Sequence, residues 1–227
     1  MKERKNGFYA IFLKRLFDVI CSSLALIVFS WLYIILAILV RVKLGAPVFY
    51  TANRIGKNGK VFKLYKFRSM TDERDVNGVL LPDTVRLTKF GRFIRSTSLD
   101  ELPEALNILK GDMSVIGPRP MPVSYLEYFT KEERHRYDVR PGLSGWAQVH
   151  GRNSISWDEK FELDLWYVNN ISFLVDCKTI WQTIVKVVKR AVLGKEKKLR
   201  KTCTKNVQIG LKRLKVLYFL RKRLFYE

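Results

Sequence analysis

Asp100 and Glu101 stand side by side in Ser98-Leu99-Asp100-Glu101-Leu102-Pro103-Glu104, and two adjacent carboxylates can divide a phosphoryl transfer between them. One can attack phosphorus, as aspartyl nucleophiles do. The other can accept or deliver a proton. Carboxylate oxygens also hold Mg²⁺, which keeps several waters and bridges to phosphate oxygens. A plainer explanation competes. Pro103 is tolerated only in a first helical turn, so the sequence predicts a helix starting close to Asp100. Acids favour that end of a helix, and Ser98 with Glu101 has the spacing of a capping box. The surrounding charge favours chemistry. Lys66 and Arg68 lie in YKFRSM, Lys89, Arg92 and Arg95 come just before the pair, and Arg119 sits in GDMSVIGPRP. An acidic pair amid so many cations suits an anionic substrate, and a helix N-terminus adds backbone donors for phosphate.

Two loops must position these groups. Pro118 and Pro120 fix the backbone on both sides of Arg119, which makes it a candidate phosphate clamp. The alternative is a surface loop with a solvated Arg. RPGLSGWAQVHGRN, residues 140–153, contains three glycines and one proline, a composition that lets backbone groups approach a ligand. Gln148, Arg152 and Asn153 are its candidates for nucleotide binding, while Trp146 reads equally well as a core anchor. In the amphipathic helix expected over 157–167, Trp157, Phe161 and Leu165 mark an apolar face. Asp164 is the one acid there flanked by apolar residues, so it is expected to point inward. A further amphipathic helix over 171–190 carries Lys178, Lys186, Lys189 and Arg190, which could meet lipid headgroups. His135 and His150 are the only histidines, which excludes a histidine-rich metal site.

The elements that carry these loops begin with an uncharged run from Val19 to Val40. Its length could cross a hydrocarbon core of roughly 30 Å. Lys2, Arg4, Lys5, Lys14 and Arg15 precede it, and Arg41, Lys43 and Arg54 follow it. Lys and Arg are retained on the cytoplasmic side of short flanking loops. A straight crossing would export one cluster; a re-entrant hairpin exports neither. Such a hairpin needs a break near Phe29-Ser30-Trp31, where Ser30 could satisfy a freed carbonyl. Downstream, VFYTANRIGKNGKVFKLYKF predicts a β-hairpin turning at Gly56-Lys57-Asn58-Gly59.

The chain has 227 residues and a net charge of +21, of which residues 195–227 carry +10. So large a positive charge implies an anionic partner, and the apolar run favours anionic lipid and phosphorylated substrates over nucleic acid. No nucleic-acid-binding motif is present. Residues 209–225 alternate apolar and basic groups near a helical period, as in a helix lying on anionic lipid. Three widely spaced cysteines, Cys21, Cys177 and Cys203, suggest neither a disulfide framework nor a zinc site.

Taken in order, KRLFD with its apolar run, KLYKFRSM, SLDELPE, LKGDMSVIGPRP, RPGLSGWAQVHGRN and FELDLWYV resemble the bacterial sugar transferase family, the monotopic phosphoglycosyl transferases. The resemblance covers residues 14–190. It implies an α+β, mainly helical fold. A re-entrant membrane helix would occupy 1–45. A small catalytic domain with a short β-hairpin and amphipathic interfacial helices would occupy 46–194, and a basic tail 195–227. It implies transfer of a sugar 1-phosphate from a UDP-sugar, N-acetylated in the members it looks most like, to polyprenyl phosphate. The products would be polyprenyl diphosphate sugar and UMP. It further implies a covalent phosphosugar on Asp100, with Mg²⁺ on that residue and Glu101 as acid/base neighbour. Lys66, Arg95 and Arg119 would stabilise phosphate, with Gln148, Arg152 and Asp164 as weaker candidates; Arg68, from the cations around the acidic pair, is a further phosphate- or nucleotide-binding candidate. The place would be the cytoplasmic face of the bacterial inner membrane; a homo-oligomer is compatible with it. The family's usual Ser-Pro at the hairpin break is Ser30-Trp31 here, and the tail has no clear family counterpart. A membrane-bound basic scaffold without catalysis is the competing reading; the adjacent carboxylates would then have no use.

Overall fold

The computed structural model describes residues 7–151 and 155–189. The chain divides into two compact units, Met1–Ile180 and Trp181–Glu227. Of the second, residues 181–189 are described, and they are helical. Arg152, Asn153 and the basic tail lie outside the described residues.

A π-helical turn, Tyr9–Leu13, runs into α1 (Lys14–Val28), and α2 (Ser30–Leu44) follows after a one-residue break. The break is Phe29, at φ −97° and ψ 12°, and the pair bends there by 64°. Ser30 is the first residue of α2. The hydroxyl that bonds a carbonyl one turn back belongs instead to Ser22, which donates to Asp18 O at 2.7 Å. Among the described residues no single helix is long and apolar enough to cross a membrane; the bent pair is, by length and composition only.

Both ends of the bent pair are tied to the rest of the unit. Lys14, Asp18 and Ser22 share one face of α1 and are buried. Lys14 Nζ reaches Asp176 Oδ2 at 2.6 Å, and Asp18 Oδ1 accepts from Ser114 Oγ (2.9 Å) and Val115 N (2.8 Å). Arg15 donates to the carbonyls of Ile108 and Leu109. At the far end Leu36, Val40 and Leu44 of α2 pack on Phe67 and Ile94. Burying each such side chain stabilises by roughly 1.5–3 kcal/mol. Tyr33 donates to Leu102 O at 2.6 Å, so α2 also supports the turn that carries Asp100.

The hairpin forms as its alternation requires: β1 (Phe49–Ile55) pairs antiparallel with β2 (Val61–Phe67), from Phe49↔Phe67 to Ile55↔Val61. One helical turn, α3 (Asp83–Arg86), precedes α4 (Lys89–Ser96) and α5 (Glu104–Lys110). Then come β3 (Ser114–Ile116), α6 (Lys131–Arg134), β4 (Gly142–Ser144), α7 (Trp146–His150) and α8 (Trp157–Asn169). Residues 173–180 are helical.

The two Pro/Gly loops are one structure. β3 and β4 pair in parallel, Ser114↔Gly142 and Ile116↔Ser144. Gly117 N donates to Ser144 O and Gly142 N to Pro118 O, both at 2.9 Å. A Cβ on Gly142 would stand 2.0 Å from Gly117 N. These glycines therefore let two backbones cross, where the sequence suggested approach to a ligand. Trp146 is a core residue beside Ile116 and Tyr167. Lys178 lies over its ring at 5.4 Å, a partner other than the expected headgroup.

Candidate active site

The acidic segment does not open a helix at Asp100. Leu99–Glu101 is a single 3₁₀ turn, and α5 begins at Glu104, after Pro103. Ser98 is left-handed, φ 58° and ψ 20°, and makes no side-chain cap. The predicted capping box is therefore absent, because Glu101 turns to Lys66 instead. Capping boxes form at Thr130 with Glu133 and at Ser156 with Glu159. The left-handed conformation costs a non-glycine residue roughly 1–2 kcal/mol. Here it is held by Ser98 N donating to Arg95 O and Glu101 N donating to Ser98 O.

Three carboxylates result, in three electrostatic states. Lys66 Nζ stands between two of them, 2.7 Å from Glu101 Oε1 and 3.1 Å from Glu104 Oε1. Burial pulls the Lys66 pKa down, but Glu104 and Glu101 outweigh it and the net direction is up. Burial raises Glu101; Lys66 and Arg119, whose Nη2 is 3.5 Å away, reverse this and leave it below its usual range. Glu104 is 4% exposed, and burial pushes it up to about 7 against the pull of Lys66. Asp100 is also buried, and among the described residues no Lys or Arg nitrogen lies within ion-pair distance of it. Burial raises its pKa, Lys66 opposes, and Glu101 adds to the rise. Asp100 is thus the carboxylate whose oxygens no cation holds.

A cleft opens on this cluster, lined by Arg54, Leu64, Lys66, Glu101, Glu104, Arg119 and neighbouring residues. Its volume of about 40 Å³ is small beside the roughly 300–1,000 Å³ of whole-ligand sites, so a nucleotide sugar would extend outward from it. Arg119 is over half exposed at its rim. Arg95 donates to Ser69 Oγ at 2.7 Å and lowers the Asp100 pKa through its charge.

Three sequence candidates fall elsewhere. Arg68 is committed to the end of α2: it donates to the carbonyls of Leu44 (2.6 Å), Ala46 and Met70 (2.8 Å), and pairs with Asp72. It closes that helix, so its donors are already committed to carbonyls and to Asp72. Gln148 does not line the cleft; it donates to the carbonyl of Leu143, which does, at 3.3 Å. Asp164 points inward as expected, but onto Arg136 Nη2 at 2.5 Å. Burial pushes it up to about 6 against the pull of Arg136, so at neutral pH it is ionised and paired with Arg136. Arg136 Nη2 also donates to Arg119 O at 3.1 Å, so Asp164 acts through Arg136 on the Arg119 loop. Arg152 lies outside the described residues.

Sequence reasoning passed over Glu104, Arg136 and Arg54 as site residues. Glu104 stands four residues after Asp100, a spacing that was readable. Arg136 is marked only by its aromatic surroundings, with Phe129, Tyr137 and Phe161 within 5.7 Å of the guanidinium. Nothing in the sequence marks Arg54.

Among the described residues no three His, Cys, Asp or Glu side chains converge as a metal cage. Mg²⁺ needs no such cage, since it is commonly held by one or two carboxylates together with substrate phosphates. The donor set fits such a site: Glu101 and Glu104 are taken by Lys66, and Asp100 is left to contribute oxygen.

Comparison with known proteins identifies the family. The family model described as "Bacterial sugar transferase" matches residues 9–190. The chain is 53% identical over 176 residues to the uncharacterized sugar transferase EpsL of Bacillus subtilis, covering 78% of this chain and 87% of that one. It is 39% identical over 181 residues to the UDP-N-acetylgalactosamine-undecaprenyl-phosphate N-acetylgalactosaminephosphotransferase of Aeromonas hydrophila, covering 76% of this chain and 43% of that one. It is also 39% identical over 196 residues to the undecaprenyl-phosphate galactose phosphotransferase of Salmonella typhimurium, covering 79% of this chain and 41% of that one. The match thus spans under half the length of these last two relatives. The chain belongs to the bacterial sugar transferase family, and it is an enzyme of the phosphoglycosyl transferase class.

Proposed function

We propose that this enzyme transfers a sugar 1-phosphate from a UDP-sugar to polyprenyl phosphate, giving polyprenyl diphosphate sugar and UMP. The observation that carries the reading is Asp100: a buried carboxylate without a cation partner, beside a cluster of cations. A carboxylate oxygen of Asp100 attacks the phosphorus bonded to the sugar. The bond from that phosphorus to the UMP oxygen breaks, and UMP leaves with the electron pair. A phosphate oxygen of the polyprenyl phosphate then attacks the same phosphorus and returns Asp100 as a carboxylate. Attacking and leaving groups are anions, so no net proton moves. Lys66, Arg95 and Arg119 offset charge on the phosphate oxygens. Glu101, ionised and held by Lys66, is suited to accept a proton if the incoming phosphate carries one. Asp100 would hold Mg²⁺ together with the diphosphate, and the ion would neutralise phosphate charge.

The names of the Aeromonas and Salmonella relatives carry an acetylated and a non-acetylated sugar at equal identity. An N-acetylated donor, which we also propose, therefore rests on the resemblance of motifs alone. UDP-sugars are cytoplasmic, which puts the site at the cytoplasmic face of the inner membrane. The bent apolar pair would supply attachment, and anionic lipid would meet the chain's excess positive charge.

The test is intact-mass analysis of the full chain in detergent with a panel of UDP-sugars and no acceptor. The wild type should gain the mass of one sugar phosphate. Asp100→Asn should not, and its UMP release should fall by about 10³-fold or more. Excess EDTA should abolish release and Mg²⁺ restore it. A fully active Asn variant would sink the nucleophile.

A further inference from the structure

Arg54 enters the cleft from the end of β1. Ile55 N donates to Met121 O at 3.0 Å, and Arg54 itself bridges antiparallel to Pro122, so this strand end is stitched to the chain just beyond Arg119 and Pro120. The side chain consequently lines the cleft together with Lys66, Glu101, Glu104 and Arg119. Its situation differs from theirs. Lys66 is claimed by two carboxylates, and Arg119 leans on one. Arg54 Nε is shut off from water and has no acceptor. Among the described residues no hydrogen bond or ion pair of this guanidinium is found, although two carboxylates share its cleft.

A buried donor left without an acceptor is costly, and folded proteins rarely keep one without a reason. Three cations face two carboxylates across this small space, so the cleft has room in charge for one anion. A guanidinium offers paired donors that match phosphate oxygens. We propose that Arg54 is a substrate-binding residue that takes a phosphate group in this cleft, beside Lys66 and Arg119. The inference rests on the reaction proposed above, in which phosphate comes from two sources: the diphosphate of the donor nucleotide and the phosphate of the lipid acceptor.

The experiment separates the sources. Full-length protein in detergent is compared as wild type, Arg54→Met and Arg54→Lys, by UDP binding in calorimetry and by KM for donor and acceptor in UMP release. If Arg54 holds the nucleotide diphosphate, the Met variant weakens UDP and raises the donor KM by roughly 10- to 100-fold. If it holds the lipid phosphate, UDP binding is unchanged and the acceptor KM rises by that factor. Lys, which keeps the charge without the fork, should fall between Met and wild type. Thermal unfolding guards against a structural explanation: losing an unpaired buried donor should leave the melting temperature of the Met variant equal or higher. Unchanged UDP binding and unchanged KM values in the Met variant would overturn the proposal, as would a lowered melting temperature with unchanged KM. Wild-type protein that releases no UMP from any UDP-sugar would defeat the reaction instead, leaving the UDP-binding comparison to judge Arg54 by itself.

Discussion

Glu104 shows how one ammonium can leave two neighbouring acids in different states. Lys66 is nearer Glu101, and Arg119 also stabilises Glu101, so the proton falls to Glu104. An acid whose folded-state pKa lies above its ordinary value stabilises the fold while protonated. That contribution is fully present below about pH 4.5 and is lost as pH rises through about 7. The shift corresponds to about 3 kcal/mol. Glu104→Gln keeps the shape and never ionises. The melting temperature of the Gln variant should therefore gain on the wild type between pH 5 and pH 7, by several degrees, and hold constant above. Parallel melting curves across that range would show that Glu104 stays ionised. At this scale the sequence was informative where charge types cluster: the acidic pair, Lys66 and Arg119 meet in space. It could not say which cation serves carbonyl oxygens. Arg68 lies two residues beyond Lys66 in the same motif, yet it closes α2, because helix ends leave carbonyls that need donors.

Among elements, the turn chemistry and the hairpin were legible because alternation and Gly-Lys-Asn-Gly act locally. The parallel β3–β4 pair was not, since it joins segments 25 or more residues apart and each strand is only three residues long. Their glycines are its only trace in the sequence. Gly142→Ala forces a methyl carbon to within 2.0 Å of the Gly117 nitrogen, and two backbones cannot yield as a side-chain end can. It should destabilise by about 3 kcal/mol, toward the upper end of overpacking costs, and lower activity by moving Arg119. Gly59→Ala is the comparison. Its φ of +75° strains an alanine, but nothing lies within 4 Å of the added carbon, so the cost should be about 1–2 kcal/mol with activity kept. Equal losses of melting temperature in the two variants would contradict the crossing as the reason for Gly142.

For the whole molecule, the attachment of the bent pair bears directly on topology. Lys14 and Arg15 were read from sequence as flanking charges, yet both are bound within the unit, to Asp176 and to the end of α5. Leu44 O, at the other end, accepts from Arg68. Residues 14 and 44 therefore start and finish on the same body, whereas a straight helix of that length would part them by roughly 45 Å. The middle of the pair carries the exposed apolar surface, including Leu24, Ile27, Val28, Phe29, Trp31 and Ile34. Such a surface, bent at Phe29 and anchored at both ends, is what an element dipping into one leaflet would need, and it supports a re-entrant hairpin independently of the count of basic residues. The bend itself requires no proline: Phe29 N still donates to Ala25 O, and Phe29 O accepts from Leu32 N and Tyr33 N. The prediction is that positions 7 and 57 lie on the same, cytoplasmic side. Single cysteines replacing Gly7 or Lys57, in a chain lacking Cys21, Cys177 and Cys203, would be exposed to an impermeant maleimide in intact cells and again after permeabilisation. Both should be protected in intact cells and labelled once the membrane is opened. Labelling at position 7 alone in intact cells would establish a spanning helix, and would require the Lys14–Asp176 pair to break in the membrane.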